Sequence, residues 1–285
     1  MNRSDLLVVL MIVGMGCSQA QRVDYTDNPP GYDLTNPDVY KLSEVLHEIS
    51  GISFNKGNPD TIYAQQDEDG QLFYFAWGDP KPRYAEFGKG GDYEDIAILQ
   101  DQVIILRSDG NLYRFSVAGK QGKNVGPVEM WKKPFPEGEY ESLAATGHDS
   151  LLYVLCKNCK EDKKRSAATG YAVRLERDGS LGHQFTFAIH FDQIERFVSL
   201  KGKAFQPSAM TWNPYTGQWF VISSINKLLV VLDDQWKVIS AYRLDPALYT
   251  QPEGIAFDGN RNLYISNEGG RKGNRATIFK FQFNK

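Results

Sequence analysis

Five short runs of the chain open on, or next to, a residue that can hold a proton or a cation: Glu48, Glu94, Glu141, Ser208 and Glu253. The common pattern is a small or polar residue next, then apolar ones, as in Glu94-Asp-Ile-Ala-Ile-Leu99 and Glu253-Gly-Ile-Ala-Phe257. Four carboxylates gathered at one opening would repel strongly unless protons or a cation neutralised them. A hard ion such as Ca²⁺, which takes six to eight oxygen ligands, fits such a ring better than zinc does. The competing reading makes the same glutamates hydrated acceptors for backbone amides in a wet channel. Asp95, Asn267 and Glu268 are weaker additions to the metal set, and Glu268 reads equally as a turn residue beside Gly269-Gly270. His47 could serve as a base, but alternation along a strand puts it opposite Glu48. Arg271 to Arg275 is a small basic loop. Trp212, Trp219 and Trp236 read as packing residues. No Gly-x-Ser-x-Gly motif or Ser/His/Asp set is visible, and catalytic residues stay unassigned.

The elements that must position these residues repeat. The runs start at 48, 94, 141, 208 and 253, at intervals of 46, 47, 67 and 45 residues. Each leads through a turn to a second strand, such as Val103-Ile-Ile-Leu106 or Asn262-Leu-Tyr-Ile265. A third follows, such as Asn111-Leu-Tyr-Arg-Phe115, and a looser fourth, such as Val238-Ile-Ser-Ala-Tyr242. Asp69-Gly70 and Asp109-Gly110 between alternating runs are hairpin signals. Four antiparallel strands every 46 residues or so is the length of a propeller blade. The expectation is an all-β, five-bladed β-propeller, with six blades as the alternative. The last repeat ends three strands in, so a strand from Asp38 to Val45 is expected to complete it and protect its edge. The long third interval is assigned to a polar insertion, Lys157 to Thr169, and His190 to Leu200 is the one helical candidate.

The chain has 285 residues, 41% hydrophobic and 13% aromatic, with net charge −3. That balance suits a strand-rich core and gives no drive towards nucleic acid. Leu6 to Gly16 is apolar but shorter than the about 20 residues a membrane span needs, so residues 1–17 read as an export signal. Gly14-Met15-Gly16-Cys17 resembles a bacterial lipobox, which makes Cys17 the lipidation site and the protein an outer-membrane or cell-surface lipoprotein. Cleavage after Ala20 would instead leave a soluble periplasmic protein. Residues 18–37 read as a tether and 38–285 as the propeller domain. Cys156 and Cys159 form a CxxC pair, read first as a loop disulfide in an oxidising compartment, ahead of a redox or zinc role.

Glu48-Ile-Ser-Gly-Ile52, Tyr93-Glu-Asp-Ile-Ala97, Tyr140-Glu-Ser-Leu-Ala144, Gln206-Pro-Ser-Ala-Met210, Gln251-Pro-Glu-Gly-Ile-Ala256 and Leu263-Tyr-Ile-Ser-Asn-Glu268 occur in order. Together they resemble the SdiA-regulated (YjiK-like) family over roughly residues 38 to 283. The resemblance implies a five-bladed propeller distantly related to NHL-repeat propellers, with a calcium site. The family name reports transcriptional control and implies no chemistry. Ser208 departs from the glutamate pattern. The expected function is a calcium-binding envelope propeller acting as a non-catalytic module for an unknown ligand or envelope protein. The alternative is a lactonase- or phosphoesterase-like hydrolase using an ion at the channel mouth.

Overall fold

The computed structural model describes residues 24–119, 123–160, 162, 166–270 and 274–284. Residues 1–17, read from the sequence as an export signal with Cys17 as lipidation site, lie outside the described residues. The first strand, β1 (Asp38–Lys41), precedes five runs of alternating strands. β2 (Ile49–Ser53), β3 (Ile62–Gln66), β4 (Gln71–Phe75) and β5 (Arg83–Glu86) form one antiparallel sheet. β6 (Tyr93–Leu99), β7 (Gln102–Arg107), β8 (Leu112–Ser116) and β9 (Glu129–Trp131) form the second. The third holds β10 (Gly138–Ala145), β11 (Leu151–Cys159), β12 (Ala167–Leu175) and β13 (Leu181–His190). A short helix, α1 (Phe191–Glu195), follows it. The fourth sheet holds β14 (Ala209–Asn213), β15 (Gln218–Ser223), β16 (Leu228–Leu232) and β17 (Val238–Arg243). The fifth holds β18 (Pro252–Phe257), β19 (Leu263–Asn267) and β20 (Thr277–Phe281), and β1 pairs with β20 as its outer strand. The fold is therefore a five-bladed β-propeller closed by its own N-terminal strand, and the six-bladed alternative falls away.

A four-stranded sheet with two apolar faces must bury both, and the blades do so against each other. One buried cluster joins Tyr153, Phe187 and Ile189 of the third blade to Trp219, Val221 and Trp236 of the fourth. Trp236 stacks on Phe187 at 3.5 Å and on Trp219 at 4.6 Å between ring centroids, so these tryptophans pack between blades as expected. The inner strands approach closely where glycine stands. A Cβ on Gly51 would lie 2.4 Å from the Asp95 carboxylate, and one on Gly254 would lie 2.5 Å from the Ser50 carbonyl oxygen.

Two expectations need correction. Residues 18–37 are not wholly a tether: Tyr32 and Leu34 are buried in the cluster between the fourth and fifth blades. The Tyr32 hydroxyl donates to the Arg261 carbonyl, and the Leu34 carbonyl accepts from Tyr249. The Asp/Asn/Pro/Gly-rich composition denies this stretch a strand, but two large side chains still dock it. The extra length of the third repeat is also distributed differently. Lys157 to Cys159 continues β11 rather than opening a loop, and α1 with the segment up to Ser208 supplies much of the insertion.

Candidate functional site at the channel mouth

In four of the five blades the innermost strand is interrupted by the same irregularity. Tyr93 pairs with Arg107 and Asp95 with Leu106, leaving Glu94 unpaired between them. Tyr140 with Cys156 and Ser142 with Leu155 leave Glu141. Pro252 with Asn267 and Gly254 with Ser266 leave Glu253. A bulge of this kind re-aims one side chain. In the first blade the register shifts between Ile49 and Ile52, and Ile49-Ser-Gly-Ile52 is the counterpart of Pro252-Glu-Gly-Ile255. The bulge residue there is Ser50, not Glu48. Ser208 occupies the fourth position: its hydroxyl donates to the Pro252 carbonyl and accepts from the Ser224 amide.

Glu48 therefore stands two residues outside the ring that the sequence pattern gave it, level with Asp92, Glu139, Gln206 and Gln251. The carbonyl at this outer position takes the amide of the residue just past the second strand. The Glu48 carbonyl accepts from Asp67, Asp92 from Ser108 and Gln251 from Glu268. This backbone pattern brings three carboxylates together. One oxygen each of Glu48, Asp67 and Glu268 lies within 4.8 Å of the others. Two of the three came from the sequence. Asp67 did not, although Ile62-Tyr-Ala-Gln-Gln-Asp67 set against Leu263-Tyr-Ile-Ser-Asn-Glu268 would have shown it. Beside this group, buried Asn267 finds no hydrogen-bond partner for either side-chain atom, and Asp67 Oδ1 is likewise buried and unpartnered among the described residues.

Burial and mutual repulsion raise several carboxyls of the mouth above their ordinary range. Burial first, then Glu253, Glu48 and Asp67, pushes Glu268 up to about 8, against the amide of Gln251. Burial, then Glu48, Glu68 and Asp92, raises Asp67 to about 6. Glu94 is raised to about 9, by burial and then by Glu141 and Asp92. Glu141 is held to about 7: burial raises it, while Lys157, hydrogen-bonded to it, opposes. Glu253 is raised by burial, with Ser224, Lys157, Lys227 and Ser208 opposing. The bulge glutamates thus share lysines and, at Glu253, hydroxyls, and among the described residues no such partner opposes the repulsion within the Glu48/Asp67/Glu268 group. Asp95 does different work. Fully buried, it accepts the amides of Ile96 at 2.8 Å and of Leu143 at 2.7 Å, stapling the second blade to the third.

Outside the mouth, Cys156 and Cys159 are joined in a disulfide. Asp162 beside them accepts from Thr169 and the Cys159 amide, so the grouping has a structural use. His47 lies at the edge of the mouth, with Nε2 3.7 Å from the Glu48 carboxylate and its carbonyl bonded to the Gly269 amide. Of the basic loop, residues 271–273 lie outside the described residues, and Arg275 sits 3.5 Å from Glu44. Among the described residues no helix is long and apolar enough to cross a membrane.

No curated protein matches the sequence. Solved structures show the same architecture at low identity. Glutaminyl cyclase of Myxococcus xanthus is 14% identical with TM-score 0.57, covering 87% of this chain and 94% of that one. The PQQ-bound aldose sugar dehydrogenase of Streptomyces coelicolor is 13% identical with TM-score 0.55, covering 90% and 100%. A luciferin-regenerating enzyme is 12% identical with TM-score 0.50, covering 87% and 95%. At these identities the likeness is one of fold. Residues 188–271, which hold the Gln206-Pro-Ser, Gln251-Pro-Glu and Leu263-to-Glu268 motifs, match the family model described as SdiA-regulated, and over that stretch the family resemblance is shown.

Proposed function

We propose that the protein is a calcium-binding envelope propeller, a non-catalytic module whose acidic mouth presents a bound ion and its surrounding loops to a ligand or protein partner. The observation that carries the reading is the convergence of Glu48, Asp67 and Glu268, with no lysine or arginine opposing their repulsion among the described residues. Three carboxylates at that spacing must take up protons or a cation, and an all-oxygen set suits Ca²⁺. Asn267 and backbone carbonyls are further oxygen donors nearby. The bulge glutamates Glu94, Glu141 and Glu253, the other sequence candidates, are better served as a surrounding field, since Lys157 already neutralises Glu141. Export fits the Cys156–Cys159 disulfide, which persists in an oxidising compartment. Anchoring through Cys17 is the companion proposal.

Thermal unfolding in EDTA, then in millimolar Ca²⁺ or Mg²⁺, tests the ion. A rise with calcium exceeding that with magnesium is expected, because a ligand bound only by the folded state stabilises it. Equal melting in all three buffers would remove the ion from the function.

One observation favours the hydrolase alternative enough to keep it. A polar cavity of about 350 Å³ adjoins the mouth, lined in part by Lys157, Lys227, Ser208 and Glu253. The first strands carry no basic residue at these positions, but the second-strand side of the fold supplies two. A metal ion beside lysines can polarise a carbonyl or phosphoryl oxygen. Calcium-dependent turnover of a lactone or phosphate-ester panel, abolished by Glu268→Gln, would establish it over the binding module.

A further inference from the structure

The opposite end of the channel holds a second cavity, about twice as large, at about 730 Å³. That falls within the roughly 300–1,000 Å³ range of small-molecule sites. It is made from the C-terminal ends of the same five inner strands. Ile52, Ile96, Leu143, Met210 and Ile255, one equivalent residue from each blade, line its aliphatic wall. Trp212, Tyr215 and His148 stand along one side.

The charged groups that line or border this cavity are committed elsewhere. Lys56 donates to the Asp101 carboxylate at 2.6 Å. Asp258 accepts from the Asn260 and Asn262 amides, the Asn262 side chain and the Tyr264 hydroxyl. Asp149, next to His148, accepts from Thr146, Leu151 and Tyr153. Arg261 lies over the Tyr215 ring at 5.0 Å. Among the residues that line the cavity, an ionic guest would therefore find no uncommitted counter-charge and would forfeit its hydration. The aromatic side is different. Trp212 is held edge-on against Trp219 at 5.1 Å, with the His148 ring 5.8 Å away. Among the described residues no hydrogen bond engages the Trp212 indole N–H, and the His148 ring meets no polar group nearer than the Asp149 carboxylate, 3.8 Å from its Nε2.

We infer that this cavity binds an uncharged, ring-containing small molecule. Its ring packs beside Trp212, its apolar edge meets the aliphatic wall, and its polar atoms face the indole N–H and the imidazole. The site lies at the far mouth from the acidic group and does not depend on a metal there.

The test is fluorescence titration of the full-length protein with N-phenyl-1-naphthylamine, a neutral two-ring probe. Its anionic relative 8-anilinonaphthalene-1-sulfonate is run in parallel. The neutral probe is expected to bind at least tenfold more tightly than the sulfonate, equally in EDTA and in calcium. Trp212→Phe, which keeps the packing against Trp219, and His148→Ala, at an exposed position, should each weaken binding about fivefold or more with melting nearly unchanged. Equal affinity for the two probes would overturn the inference. So would neutral-probe binding that neither substitution alters. Loss of the calcium response with this binding intact would count against the acidic-mouth reading alone.

Discussion

Replacing Glu268 by Gln separates protons from a cation at the acidic mouth. The Glu268 carboxyl is raised from 4.5 to about 8, chiefly by burial and then by Glu253, Glu48 and Asp67. A carboxyl raised on folding costs nothing while it is protonated in both states, below about pH 4.5. The cost grows as pH climbs and is complete above the folded value near 8. At about 1.4 kcal/mol per pH unit, the shift bounds that cost at roughly 5 kcal/mol. Glu268 keeps some contact with solvent and shares its repulsion with Glu48 and Asp67, so the substitution is expected to recover less than half, ~2 kcal/mol. For a domain of this size that is about 6 °C in Tm. In EDTA, Glu268→Gln should match the parent near pH 4.5 and melt progressively higher by pH 8. In millimolar calcium at pH 8 the order should reverse. The parent then gains the ion's stabilisation, about 2.7 kcal/mol at a hundredfold excess over Kd, and the variant has lost a ligand. Differential scanning calorimetry across pH 4.5–8.5 in both buffers reads this directly. A difference in EDTA that does not vary with pH, or one that calcium leaves unchanged, would refute the reasoning.

Asp95→Ala strands two buried amides and should cost about 3 kcal/mol, yet leave the calcium-induced rise in Tm intact, because Asp95 is a staple between blades. Loss of the calcium response on that substitution would make it a ligand instead. Lys157→Met removes the ammonium bonded to Glu141 and should lower stability at pH 8 by about 2 kcal/mol, with Lys157→Met/Glu141→Gln restoring most of it. Urea titration of both variants checks this. Gly138→Ala places a Cβ 2.4 Å from Cys159 Sγ and 3.0 Å from Cys156 Sγ. It should destabilise by about 2 kcal/mol and expose the pair to alkylation after mild reduction, read by mass spectrometry.

The blade count, the closing strand and the tryptophan seam were legible because each depends on pattern: a repeat near 46 residues, alternation, and an unfinished last unit. The sheet order bears this out, with β1 beside β20. The acidic site was only half legible. A β-bulge changes which residue turns inward without changing the apolar pattern around it, so Ser50 and Glu48 could not be told apart by residue type. The chain offered a glutamate two residues early, and the repeat absorbed it. Asp67 was overlooked for a related reason: it lies past the end of a second strand, where Asp67-Glu-Asp-Gly70 reads as a turn until the repeat is set against Leu263 to Glu268. Lys157, assigned to a charged insertion, entered the mouth because β11 runs on to Cys159. Tyr32 and Leu34 were hidden by the polar residues around them.

The departures from five-fold repetition are what give the mouth its chemistry. A symmetric ring of glutamates would spread repulsion evenly and define no single site. Here serine stands in the glutamate's place in the first and fourth blades, as Ser50 at the bulge and Ser208 just before β14, which relieves the inner ring. The equivalent residue at the end of the second strand then varies: Asp67 and Glu268 in the first and fifth blades, Ser108 and Ser224 in the second and fourth, and Lys157, still within β11, in the third. Acid therefore concentrates where the fifth blade meets the first, at the closure of the propeller, and the lysine lies with the third. The same junction carries the β1–β20 pairing, so an ion held by Glu48 and Asp67 on one side and Glu268 on the other would bridge the two ends of the chain. Stabilisation by calcium should accordingly fall on the fifth and first blades. Hydrogen exchange in β19, β20 and β3 should slow with calcium more than exchange in β11 and β12. Uniform protection across all five blades would separate the ion from the closure.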